Sequence, residues 1–157
     1  MKKISTIILL ALFSISVFTG CQKNATTTGY SMSADIGGSA TIFDNSLINV
    51  EINSVTGRNT YIIEGLNNAS NYPYVYIYVP AITDTTTYSI GVYTAGSLYN
   101  PAYAILGVDT LTIKNSASGS VYIKTVSPYV TGTYSFTCTD GTTVSAGAFI
   151  AKPLPSL

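Results

Sequence analysis

The chain has 157 residues, enough for one domain with a buried core, and its seven basic and seven acidic side chains balance with no histidine at all. At 46% hydrophobic residues it falls outside the disordered class, and without a basic excess it has no attraction for nucleic acid. Only 9% of residues are charged, so solubility has to come from the hydroxyls, amides and exposed backbone of a Thr-, Ser-, Asn-, Gly- and Tyr-rich sequence.

Lys2 and Lys3 open an apolar run from Ile4 to Phe18, followed by Thr19, Gly20 and Cys21. This charged, apolar, small-residue order is that of an export signal. A membrane span needs about 20 apolar residues. The run here is shorter and is broken by Ser5, Thr6, Ser14 and Ser16, which argues against a permanent transmembrane helix. Val17-Phe18-Thr19-Gly20-Cys21 resembles the lipobox of bacterial lipoproteins, with Phe18 where leucine is usual. The resemblance implies cleavage between Gly20 and Cys21, a diacylglyceryl group on the Cys21 thiol and acylation of the new amine. The alternative is an ordinary secretory signal with an incidental cysteine. Acyl chains contribute about 0.8 kcal/mol per buried methylene, so several of them tether a protein stably without a spanning segment. The expected membrane partner is therefore the bilayer, reached through N-terminal acyl chains. Gln22 follows the cysteine, and no acidic run comes after it. By resemblance to Gram-negative lipoproteins, that points to the outer membrane facing the periplasm, with surface display as the alternative.

Loss of residues 1–20 would remove Lys2 and Lys3 and leave a slight acidic excess. Residues 21–29, ending in Ala-Thr-Thr-Thr-Gly, read as a lipidated cysteine and short tether, 30–152 as a single all-β domain and 153–157 as a tail. From Tyr30 onward the pattern is period two, β-branched and aromatic, interrupted by Gly, Asn, Asp and Pro. It predicts strands over Ser31 to Ile36 and Ser39 to Phe43, flanking the Gly37-Gly38 turn, and over Leu47 to Ser54, where Ile48, Val50 and Ile52 share a buried face. The turn Thr56-Gly57-Arg58-Asn59 leads to Thr60 to Leu66. Then come Tyr74 to Val79, Thr87 to Val92, Tyr103 to Val108, Thr110 to Lys114, Ser120 to Val126, Tyr129 to Thr139 and Thr142 to Ile150. Tyr93 to Ala102 carries no clear pattern.

The last hairpin can be tested for register, because opposed residues on antiparallel strands share a face. A two-residue Asp140-Gly141 turn would oppose Phe136 to Ser145. A three-residue loop, Thr139-Asp140-Gly141 with Gly141 left-handed, pairs Phe136 with Val144, Tyr134 with Ala146 and Cys138 with Thr142, and so buries Cys138 as an inert thiol.

About ten short strands joined by turns, with no helical crossover, imply a mostly sequential antiparallel meander. One open sheet would leave an apolar face bare. The expected fold is a two-sheet sandwich, with a closed or nearly closed β-barrel as the alternative. Three stretches resemble a family of small uncharacterised Gram-negative envelope lipoproteins: Met32-Ser33-Ala34-Asp35-Ile36-Gly37-Gly38; Thr87-Tyr88-Ser89-Ile90-Gly91; and Gly132 to Thr137 followed by Asp140-Gly141-Thr142. The resemblance covers nearly the whole domain, rests on turn and strand chemistry, and implies a fold without an activity.

Catalytic residues are not expected. Without histidine there is no base for a serine or thiol nucleophile, and Asp35, Asp44, Glu51, Glu64, Asp84, Asp109 and Asp140 are scattered. No metal site or cofactor is expected, since Asn67-Asn68-Asn71 is amide-rich but has no carboxylate. Asp84-Thr85 and Asp109-Thr110 look like short O-glycosylation sites, with Thr85 and Thr110 as the acceptors. The strongest feature is tyrosine, 13 in all, with Tyr72, Tyr74, Tyr76 and Tyr78 at alternate positions. Such a row suits a platform for sugar rings or a partner protein, since each ring offers apolar area and a hydroxyl; the bland alternative is sheet packing. A non-enzymatic envelope lipoprotein that binds a glycan or protein, or serves structurally, is the leading reading. A small barrel carrying an apolar ligand and a subunit of an adhesive surface assembly are the alternatives.

Overall fold

The computed structural model describes residues 30–52, 59–67, 70–95 and 101–152. Gly20, Cys21, the tether, the first three residues of the 56–59 turn, Asn68 and the tail lie outside the described residues. The elements are β1 (Ser31–Ile36), β2 (Ser39–Phe43), β3 (Asn45–Ile52), β4 (Asn59–Leu66), β5 (Tyr74–Val79), β6 (Thr86–Ile90), β7 (Tyr103–Gly107), β8 (Ile113–Thr125), β9 (Val130–Cys138) and β10 (Thr143–Ala151). All ladders between them are antiparallel. The order across the sheet is β2-β1-β10-β9-β8-β7-β5-β4-β3, with β6 added to β8. The all-β expectation holds, and the apolar face is covered in the second of the two expected ways: one continuous sheet curls into a nearly closed barrel.

Curling depends on two places where the chain passes from one half of the sheet to the other. Along one edge of β8, Ile113 to Asn115 pair with β7, whereas Gly119 to Ile123 pair with β6. Between them the ladder to β9 slips by one residue, a bulge at Ser116 to Ser118 that bends the strand. On the far side, Asp44 alone separates β2, at one end of the strand order, from β3, at the other. This fold-over lays β3 and β4 against β1 and β10. The approach is close: Met32 Sδ occupies the space where a side chain on Gly65 would begin.

Period-two alternation fills the interior. Val75, Ile77 and Val79 point inward and are sealed, as are Met32, Phe43, Ile63, Leu106, Val121 and Ile123. Each such side chain contributes about 1.5–3 kcal/mol when buried, which makes this core the main source of stability. Along β3, burial fades from Ser46 and Ile48 through half-buried Val50 to Ile52, which is 71% exposed. Ile52 was expected on the buried face. It is the last residue of an edge strand and pairs only with Asn59.

The terminal hairpin keeps the three-residue register at its turn. Phe136 pairs with Val144, and the Cys138 amide donates to the Thr142 carbonyl at 2.8 Å. Farther along, Tyr134 pairs with Gly147 in place of Ala146, because β10 carries an extra residue at Ser145 and Ala146, the latter at φ 49°. Cys138 is buried, and burial raises its thiol pKa.

The two short strands expected over 110–114 and 120–126 are one 13-residue strand. The Asn115-Ser116-Ala117-Ser118-Gly119 stretch that resembles a turn is the bend itself. Ser116 is fully buried there; its hydroxyl accepts from the Ala104 amide at 2.9 Å and donates to the Gly91 carbonyl at 2.7 Å. Ser46 is equally buried, but its hydroxyl has no hydrogen-bond partner among the described residues. The two serines should therefore respond oppositely to the same substitution. Ser116→Ala orphans two backbone groups and should lower the urea-unfolding free energy by about 2–3 kcal/mol, whereas Ser46→Ala removes an unmet hydroxyl and should raise it by about 1 kcal/mol.

Candidate binding face

Because β5 alternates, the residues between its core valines and isoleucine face outward: Tyr74, Tyr76 and Tyr78. Register carries this face across neighbouring strands. One row runs Leu47, Glu64, Tyr76, Ile105 and Asn115; the next runs Asn49, Ile62, Tyr78 and Tyr103; a third begins Glu51 and Thr60.

The rings assemble in two groups. Tyr72, Tyr74 and Tyr76 follow one another with centroids 5.6 and 4.6 Å apart. Tyr78 stacks on Tyr103 at 4.2 Å with planes 8° apart, and Tyr93 leans on Tyr103 at 4.8 Å. The Tyr74 ring lies across Gly107, in the space where a Cβ would begin, so the missing side chain is what lets the ring lie against the sheet. The rings are half-buried on their sheet, and Tyr93 is exposed. All four sequence-predicted tyrosines are thus on one face. The sequence pattern alone does not place Tyr103 and Tyr93 with them. The alternation of Tyr103 with buried Ala104 was a usable signal; Tyr93, in a segment without pattern, gave none.

Glu64 lies among these rings, only 9% exposed, and the Asn49 side-chain amide donates to its Oε1 at 2.5 Å. Burial first, then the negative charge of Glu64, raises the phenol pKa of Tyr76. Tyr78 is pushed up to about 12, by burial and then by Glu51. Tyr103 rises above the usual phenol range by burial and then by the neighbouring phenols of Tyr78 and Tyr93. The face therefore presents neutral phenols, which donate and accept hydrogen bonds, over ring surfaces that stack on apolar or cationic groups.

The remaining predicted positions lie elsewhere. Thr85 is exposed but its hydroxyl donates to the Lys124 carbonyl at 3.1 Å, and Thr110 is exposed in the β7–β8 turn, where the Asp109 carboxylate accepts from the amides of Leu111 and Thr112. Among the described residues no group of three His, Cys, Asp or Glu side chains could hold a metal ion. No known family model matches the chain, and neither does any curated protein or solved structure.

An alkaline titration followed by tyrosinate absorbance near 295 nm should show a late wave above the ordinary phenol pKa of about 10. Tyr78→Phe should remove one group from it. Since the folded pKa of Tyr78 lies above the unfolded value, its contribution to stability is intact below about pH 10 and is lost as pH rises through about 12. Chemical denaturation at stepped pH should show stability falling across that window, less steeply in Tyr78→Phe.

Proposed function

We propose that this protein is an outer-membrane lipoprotein, tethered through acyl chains on Cys21, that acts without catalysis by binding polysaccharide on its tyrosine face. The reading is carried by one observation: six tyrosine rings, Tyr72, Tyr74, Tyr76, Tyr78, Tyr93 and Tyr103, gathered on the outer surface of β5 and β7 and its flanks. The rings stand outside the interior, whose positions on the same strands are filled by Val75, Ile77, Val79, Ala104 and Leu106; Tyr76 and Tyr78 flank the buried Glu64 and Ile62 of β4 and remain half-exposed. A pyranose ring has an apolar face and a hydroxyl rim, which a row of phenols matches in both respects. From Tyr74 to Tyr78 the row follows the strand for about 13 Å, at roughly 3.3 Å per residue, and Tyr72 extends it with a ring centroid 5.6 Å from that of Tyr74, a span suited to two or three linked sugars.

An apolar cargo in the barrel is less well supported. Ile48 and Phe136, two residues that would line such a cavity, are buried in the core cluster, and Ile52 points to solvent.

Two measurements test the proposal. Intact-mass analysis of protein from its native host should find a chain beginning at an acylated Cys21; an unmodified cysteine, or a chain still beginning at Met1, would remove the tether. Affinity electrophoresis of the mature protein through gels containing insoluble or soluble polysaccharides should show retardation by at least one of them. Tyr76→Ala and Tyr103→Ala should each weaken that binding about tenfold, in line with roughly 1–1.5 kcal/mol for a ring contact. Equal mobility in every gel would refute the binding role.

A further inference from the structure

We infer that the polysaccharide suited to this face carries free ammonium groups, as a polymer of N-deacetylated hexosamine does; the inference rests on the reading of the face as a polysaccharide platform. Among the described residues the charge on the face is one-sided: Glu51 is exposed on it and Glu64 is seated beneath its rings, and none of the three described lysines shares it. Lys114 is engaged at 2.9 Å by Asp140 beyond the sheet, Lys124 is on the part of β8 beyond the β7 ladder, and Lys152 sits over the Tyr30 ring, 5.8 Å from its centroid.

The rings add to the same preference. An ammonium group within about 6 Å of a tyrosine centroid is attracted by the negative face of the ring, and the attraction grows as water is excluded. Here that surface backs onto carboxylates. The negative charges of Glu51 and Glu64 both act on the Tyr78 phenol, which places their field within the aromatic array. Glu64 is nearly closed off from solvent, so salt screens it less than it would a surface carboxylate. Its Oε1 is fixed by the Asn49 amide, which holds the carboxylate in place beside Tyr76.

Ligand charge then sorts the candidates. A uronic-acid or sulfated polymer would bring anions against Glu51 and Glu64 and be repelled. A neutral polymer would gain stacking alone. A polymer with an ammonium on successive rings gains stacking, cation–π attraction and ion pairing together, and an extended chain can lie along the row of Tyr72, Tyr74, Tyr76 and Tyr78.

The test uses the full mature protein in detergent and titrates it calorimetrically with three hexasaccharides: chitosan, its fully N-acetylated counterpart and oligogalacturonate. Chitosan hexamer should bind at least tenfold more tightly than the acetylated one, with the advantage shrinking as salt is raised, and oligogalacturonate should not bind. Glu51→Gln, an exposed and structurally mild change, and Glu64→Gln should each reduce the chitosan affinity severalfold and narrow its margin over the acetylated hexamer. Tyr76→Ala should weaken both. Equal or tighter binding of the acetylated hexamer, or a preference for chitosan that survives both glutamine variants, overturns the ammonium inference while leaving the platform in place. Absence of binding to all three, with no effect of Tyr76→Ala on any polysaccharide, overturns the platform and the inference with it.

Discussion

The barrel depends on one strand obeying two sets of neighbours. β8 must keep its ladder to β9 along one edge while its other edge serves β7 at the start and β6 at the end. A straight strand would hold all these partners in one plane, and the apolar face would stay open. The bulge between Ser116 and Ser118 breaks that plane, and the groups it frees must be satisfied in a place closed to water. Ser116 does this with a single hydroxyl that ties the β7 amide of Ala104 to the carbonyl of Gly91, just beyond β6. A polar side chain buried on an inner face is therefore part of the corner, and the bend and the core cannot be separated energetically.

How far this was legible in the sequence differs from element to element. Strands whose two faces meet different environments announce themselves: β5 alternates Tyr with Val and Ile, and its limits and buried set agree with the pattern. The last hairpin was readable to the level of register, because Phe136 and Val144 have to share the core while Gly141 supplies the left-handed turn residue at φ 88°. The reading stopped where β10 takes its extra residue at Ser145 and Ala146, since neither side chain marks a bulge. The bend of β8 looks like a gap between strands in the sequence for a related reason. Asn, Ser, Ala and Gly are the residues of turns when the backbone is exposed, and they are also the small and polar residues that let a strand bend under neighbours on both edges.

The candidate site was half legible. Four tyrosines at alternate positions must share a face, and that follows from strand geometry alone. Tyr103 joining Tyr78, and Glu64 seated beside Tyr76, follow only from register between strands that are distant in sequence. A chain read in order expects β6 beside β5, and in that arrangement Tyr88, not Tyr103, would be the aromatic neighbour.

The corner and the aromatic face are thus connected through one topological step. β6 leaves the place beside β5 because the end of β8 offers it an edge past the bulge, and β7 takes the vacated place. That exchange brings Tyr103 under Tyr78 and sets Gly107 opposite Tyr74, where no side chain lifts the ring off the sheet. The parallel bridge between Ile90 and Ala102, with the Gly91 amide donating to the Ala102 carbonyl at 2.8 Å, ties the end of β6 to the start of β7 and so fixes both at the point where they diverge. Ser116 bonds Gly91, next to this bridge, and Ala104, two residues past it, so the hydroxyl at the barrel corner also ties down the strand that carries Tyr103. Change at the corner should therefore reach the face through β7, along backbone hydrogen bonds, without any contact between Ser116 and the rings themselves.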